Sequence, residues 1–148
     1  GTREGAAEEI RRLVNRALLT PEQGEAADPA RIAAFFASDR GRELMASTSL
    51  RREFKFSILV PAADYYPQAG AEEQVLLQGV VDCCFETLEG ITVVDFKTDR
   101  VDRRSAAARA EEYRPQLAAY SRALEEITGK SVIRRCLWFF ALDQAVDV

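Results

Sequence analysis

Residues 79–99 read GVVDCCFETLEGITVVDFKTD, and the fold turns on how this stretch is read. Two runs rich in Val, Ile, Phe and Cys flank Glu89-Gly90, and apolar runs broken by a short glycine-containing turn predict a β-hairpin. Its strands are expected over Val75 to Phe85 and Ile91 to Lys97. Side chains alternate along a strand, so Asp95 and Lys97 share one face while Val94 and Phe96 point to the other. With Glu89-Gly90 as the two turn residues, Leu88 pairs with Ile91 and Asp82 falls opposite Lys97. Asp82 and Asp95 are then diagonal neighbours, about 7–8 Å apart at Cα and able to share a cation. A three-residue turn that takes in Leu88 would carry Asp82 to the other face unless a bulge restored it.

Upstream, Phe54, Phe56 and Ile58 alternate with Lys55 and Ser57, which predicts another strand starting near Leu50. A loop with Pro61, Pro67 and Gly70 joins it to the hairpin. Downstream, a long helix is predicted over Ala106 to Thr128, closed by Gly129. A last strand follows from Val132 to Leu142, carrying Trp138, Phe139 and Phe140. Nearer the start, Ile10, Leu13, Val14, Ala17 and Leu18 form a helical stripe over residues 4–19 that stops at Thr20-Pro21. Asp28-Pro29 opens a second helix, with aspartate as cap and proline at the first position. That helix buries Ile32, Phe35 and Phe36 and runs into a short polar helix near Arg40 to Ala46. The fold class is therefore α/β, with a mixed central sheet flanked by helices: a three-strand meander, a long crossover helix and a further strand. One domain is expected over 1–148, with a helical part at 1–49 and the core at 50–148.

The chain has 148 residues, 47% of them hydrophobic and 30% charged, the composition of an ordinary soluble domain. No stretch approaches a membrane span, and the cytoplasm is the expected compartment. Three cysteines, Cys83, Cys84 and Cys136, make no disulfide framework and are read as plain core residues. The net charge of −4 speaks mildly against nucleic acid, although a local basic stripe can bind phosphate on an acidic protein. No histidine is present, which removes Ser–His and Cys–His mechanisms and histidine-ligated zinc. Gly1 in place of an initiator methionine is read as a segment of a longer polypeptide.

The chemistry must then run on carboxylates and lysine. Asp95 and Lys97 alone would be an ordinary strand-end ion pair, worth at most about 1 kcal/mol. Asp82 is different, because it interrupts an apolar run where a carboxylate is costly unless paired or ligating. Two carboxylates beside a lysine suit metal-assisted phosphodiester hydrolysis. Mg²⁺, or Mn²⁺ in its place, takes oxygen ligands and keeps waters, so Asp82, Asp95 and a backbone carbonyl, assigned to Phe96, suffice. Lys97 would orient the nucleophile or stabilise charge on the phosphate. Gln116 and Tyr120 lie four apart on one face of the long helix, either facing this site or forming an amphipathic pair at the core margin. Arg100, Arg103, Arg104, Arg109 and Arg114 bracket the following loop. They are read as contacts to a DNA backbone, though a solvated face would have the same composition.

Together, Gly79-x-x-Asp82, Asp95-Phe96-Lys97-Thr98 and Gln116-x-x-x-Tyr120 resemble the PD-(D/E)xK nuclease superfamily, and within it the RecB-like branch. Leu18-Leu19-Thr20-Pro21-Glu22, the Ile32 to Ser38 helix, the Arg52-Glu53-Phe54 stretch and Leu137-Trp138-Phe139-Phe140 extend the resemblance to the C-terminal nuclease domains of AddA-type helicase–nucleases. The resemblance implies a restriction-endonuclease-like core and a Mg²⁺-dependent DNA exonuclease fed by a helicase motor. It also implies an AddB-like partner and a role in double-strand break repair. By the same resemblance Asp82 and Asp95 are metal ligands, Lys97 is the catalytic lysine, and Gln116, Tyr120 and Glu53 occupy recurrent site positions. RecB-like nucleases usually carry a metal-binding histidine upstream of the core; here it is expected before Gly1. No P-loop is present, so ATP would be used by a motor elsewhere. The four-cysteine iron–sulfur ligand set of some relatives is not matched. The competing reading is a degenerate relative that binds DNA or docks a partner protein without cutting.

Overall fold

The structure, a computed structural model, describes residues 28–148; the helix expected over 4–19 and the Leu18 to Glu22 motif lie outside them. Helices α1 (Pro29–Ala37) and α2 (Asp39–Ala46) precede strand β1 (Arg51–Pro61). A 3-10 turn, Ala62–Asp64, leads toward β2 (Gln74–Glu86), β3 (Ile91–Lys97), helix α3 (Ala106–Thr128), β4 (Val132–Phe139) and β5 (Gln144–Asp147). The α1 cap is as the sequence indicated, with Asp28 Oδ1 accepting from the Ala30 N–H at 3.0 Å. Ser38 ends α1 and caps α2, its hydroxyl accepting from the Gly41 N–H.

The five strands form one sheet in sequence order, antiparallel throughout except for the β3–β4 pair, which is parallel because α3 crosses over between them. Helix α3 lays Leu117, Tyr120 and Leu124 on one face of the sheet, against Phe56, Val81, Val93 and Leu137. On the other face Phe35 and Leu44 from α1 and α2 pack on Phe85, Val94 and Trp138. The sheet is thus covered on both sides, and β3 at its centre is buried from Ile91 to Asp95. The three cysteines are free and buried, as expected; burial pushes the Cys84 thiol up to about 11 and the Cys136 thiol up to about 12.

Two expectations need correction. The turn between β2 and β3 has Leu88 and Glu89 at its centre, closed by reciprocal bonds between Thr87 and Gly90 (2.8 and 3.3 Å). Glu86 therefore pairs with Ile91, and Cys83 with Val94. Carried one step further, this register sets Asp82 across from Asp95 rather than Lys97, directly opposite instead of diagonal. The glycine misled because it serves another purpose: a Cβ on Gly90 would lie 2.6 Å from the Ser131 carbonyl oxygen. The last strand, expected to run to Leu142, stops at Phe139; the chain turns through Asp143, which has φ 49°, and returns as the antiparallel edge strand β5.

Candidate active site

The site forms where strand pairing gives way. The β1–β2 ladder pairs Arg52 with Cys83 and Phe54 with Val81, but skips Glu53 and Asp82 between them. Glu53 has φ 46°, a left-handed backbone uncommon for a residue with a Cβ. Side-chain alternation inverts at this point in both strands. Phe54 and Val81 face α3, whereas Arg52 and Cys83 line a small cleft on the α1 side. The β2–β3 ladder likewise ends at Cys83–Val94. Asp82 then does with its side chain what its backbone no longer does: Oδ2 accepts the Phe96 N–H at 3.1 Å.

That hydrogen bond exposes a donor atom. The N–H and C=O of one strand residue point to the same edge, so the Phe96 carbonyl also faces the gap beside Asp82, where β2 offers no pairing. The Lys97 carbonyl points the opposite way and is occupied by the Phe140 N–H at 3.1 Å.

Asp95 is only 3% exposed. Its Oδ2 lies 2.7 Å from Lys97 Nζ, yet makes no well-aligned hydrogen bond, so the contact is an ion pair that leaves a buried lone pair uncommitted. Asp82 faces this carboxylate. Burial, then the hydrogen bond and charge of Asp95, push the Asp82 carboxyl up to about 7, against the opposing pull of the Phe96 N–H and Lys97. Two acids forced together in this way are short of positive charge. Among the described residues no third carboxylate, cysteine or histidine joins them in a side-chain cluster. The donors that do converge, two carboxylates and a carbonyl facing the gap, are all oxygen, and fit a hard divalent cation that retains waters.

Helix α3 supplies the far wall. Gln116 Oε1 accepts from Lys97 Nζ at 3.2 Å, which places the expected glutamine at the lysine. Tyr120 is nearly buried and meets Phe56 edge to face, with ring centroids 5.7 Å apart. Burial first, and then the charges of Asp95 and Asp82, push its phenol up to about 12. Gly79 explains itself here, since a Cβ would sit 2.7 Å from Phe56 Cζ and 2.9 Å from Tyr120 Cε1. One residue escaped the sequence reading: Tyr113, whose ring lies 3.8 Å from Lys97 Nζ and whose hydroxyl donates to Asp99 at 2.9 Å. The signal was its place three residues before Gln116, on the same helix face.

The other expected residues are less tightly gathered. The Glu53 side chain is exposed, without a hydrogen bond or ion pair among the described residues. Arg109 is tied to Asp99 and Glu112, and Arg114 to Glu111. Arg100, Arg103 and Arg104 are exposed and have no carboxylate partner among the described residues. Arg103 edges an open cleft shared with Gln144 and Val146.

The family model of the PD-(D/E)XK nuclease superfamily matches residues 2–146. The chain is 41% identical to an ATP-dependent helicase/nuclease subunit of Acetivibrio thermocellus over 142 residues, 93% of this chain and 11% of that protein. It is 37% identical to the corresponding helicase/nuclease subunit of Bacillus cytotoxicus, covering 99% of this chain and 13% of the relative. The counterpart from Desulforudis audaxviator is 38% identical over 91% of this chain and 11% of its own length. The chain thus spans about a tenth of the length of these relatives. With the mixed sheet, the helices on both its faces and the match over nearly its whole length, the chain belongs to the PD-(D/E)XK nuclease superfamily.

Proposed function

We propose that this chain cuts DNA by metal-dependent phosphodiester hydrolysis, with Asp82, Asp95 and the Phe96 carbonyl holding Mg²⁺, or Mn²⁺ in its place. The observation that carries this reading is the convergence of a buried carboxylate, Asp95, and a half-buried one, Asp82, on one gap in the sheet, with Lys97 Nζ 2.7 Å from Asp95. A bound divalent cation would supply Lewis-acid polarisation of the scissile phosphate and would ease deprotonation of water.

The protein's own groups do the rest. Asp82 is fixed by the Phe96 N–H, so its second oxygen is left to ligate. Lys97, held by Gln116, offers its ammonium protons to the attacking water or to the oxygen on which negative charge builds. Tyr120 and Phe56 close the apolar floor and keep bulk water from the carboxylates. Glu53 contributes through its backbone, whose turn inverts the alternation and frees Asp82 from the ladder. Arg100, Arg103 and Arg104 contact the phosphates of the strand leaving the site, while Arg109 and Arg114 are engaged within α3.

The relatives are described as ATP-dependent helicase/nuclease subunits. On that basis the chain acts as the exonuclease module of a cytoplasmic helicase–nuclease. In this role it trims single strands at double-strand breaks for recombinational repair, beside an AddB-like partner protein. ATP would be used by a motor outside these residues. The test is degradation of linear single-stranded DNA with Mg²⁺ or Mn²⁺, comparing the chain with Lys97→Ala. Cleavage that needs the cation and vanishes in the variant supports the reading. Cation-dependent cleavage that survives in Lys97→Ala places the chemistry elsewhere. Metal-dependent DNA binding with no cleavage by either form favours a degenerate binding module.

A further inference from the structure

We propose that Tyr113 is a positioning residue for Lys97, its ring forming a surface that holds the ammonium beside the carboxylate pair. The inference rests on the proposed nuclease reading for its kinetic consequence, and on geometry alone for its structural one.

Lys97 Nζ lies 3.8 Å from the Tyr113 ring centroid, well inside the roughly 6 Å within which a ring face attracts a cation. The ring is fixed at both ends. Its Cβ springs from α3, and its hydroxyl donates to Asp99 Oδ2 at 2.9 Å and Oδ1 at 3.1 Å. Asp99 is in turn 3.5 Å from Arg109 Nε. Donation to a carboxylate raises the electron density of the ring and so its attraction for the ammonium. Tyr113 and Gln116 are three apart on α3, so one helix face grips Lys97 with an amide oxygen and an aromatic face. The lysine side chain is left only 14% exposed.

The need for such a surface follows from Asp95. Its Oδ2 is the charge partner of Lys97, and it is also the oxygen with an uncommitted lone pair. A carboxylate that gives that lone pair to a cation neutralises the ammonium less, and the two positive charges repel. Gln116, exposed and neutral, then offers a single hydrogen bond. The ring face attracts Nζ without competing for either carboxylate, and it shields that side from water.

Two readouts test this in the full chain. The first is the rate of lysine acylation by acetic anhydride, read by mass spectrometry, with exposed Lys55 and Lys130 as internal references. Tyr113→Leu should raise Lys97 labelling about fivefold, and Tyr113→Phe, which keeps the ring, by less than about twofold. Unchanged Lys97 labelling in Tyr113→Leu overturns the proposal, whether or not the protein cuts DNA. The second is cleavage kinetics: kcat should fall about tenfold in Tyr113→Leu and recover in Tyr113→Phe, with KM for DNA unchanged. Wild-type kcat in Tyr113→Leu alongside a dead Lys97→Ala variant overturns the positioning role and leaves the nuclease reading standing. If thermal melting shows that the leucine variant does not fold, Asp99→Ala releases the ring anchor instead. Lys97 labelling should then rise about twofold, and no rise overturns the proposal.

Discussion

Gly79 is the place where packing and chemistry meet, and substituting it by alanine gives a quantitative test of the site's architecture. The added Cβ would stand 2.7 Å from Phe56 Cζ, 2.9 Å from Phe56 Cε1 and 2.9 Å from Tyr120 Cε1. Both rings belong to the cluster that includes Val81, Leu117 and Leu124, so neither edge can swing into open space. Overpacking of this kind costs about 1–3 kcal/mol. Replacing glycine in a strand returns about 0.5–1 kcal/mol through backbone entropy. The expected net loss is on the order of 1–2 kcal/mol, or a Tm lower by about 3–8 °C for a domain of this size. Thermal unfolding of the wild type, Gly79→Ala, Phe56→Leu and the double variant measures it. Leucine lacks the Cζ and Cε1 atoms that clash, so the double variant should recover about 1 kcal/mol relative to additivity. Cleavage should suffer too, because the Tyr120 ring, which feels the charges of Asp95 and Asp82, has to shift. A Gly79→Ala variant that melts at or above the wild type, or a cycle with no coupling, would refute the packing argument.

The Asp82 carboxyl, raised to about 7, makes stability depend on pH. Its native pKa exceeds the unfolded value, so its contribution is fully present below about pH 4 and is lost as pH rises through about 7. Without divalent cation, Asp82→Asn should therefore be more stable than the wild type at pH 8, with the gap closing toward pH 4 in urea melts. A gap that widens on acidification would contradict the burial of this acid. Arg100, Arg103 and Arg104, which have no carboxylate partner among the described residues, should act through phosphate: Arg100→Ala, Arg103→Ala and Arg104→Ala combined should weaken single-stranded DNA binding and lower the slope of log K against log salt by about 2, at about 0.7 per contact. An unchanged slope would remove them from the DNA path.

Much of this was legible because local signals agreed with one another. The Asp28-Pro29 cap, the alternation of Phe54, Phe56 and Ile58, and the long helix ending at Gly129 each follow from backbone rules that tertiary context did not override. Asp82, Asp95, Lys97 and Gln116 lie together, although their spacing had set Asp82 opposite Lys97 and had left Gln116 open between this site and the core margin. What failed was register. Gly90 looked like a turn residue but is required by the close approach of Ser131, a contact made across the sheet and invisible along the chain. Asp82 still reached the site because the shift was by two residues, which preserves the face. Strand β5 was missed because Phe140 to Leu142 continue the apolar run of β4, and only Asp143 marks the reversal. Tyr113 was missed because a tyrosine in an amphipathic helix reads as core until the lysine beneath its ring is seen.

On the proposed function, Asp82 and Asp95 form a divalent cation site that Lys97 serves without ligating. Titration of Mn²⁺ by electron paramagnetic resonance into the wild type, Asp95→Asn and Lys97→Ala decides whether they do. Affinity should fall at least about tenfold in Asp95→Asn, and should be kept or increased in Lys97→Ala, which removes a competing charge 2.7 Å from Asp95 Oδ2. Wild-type affinity in Asp95→Asn would contradict the claim and place the cation elsewhere.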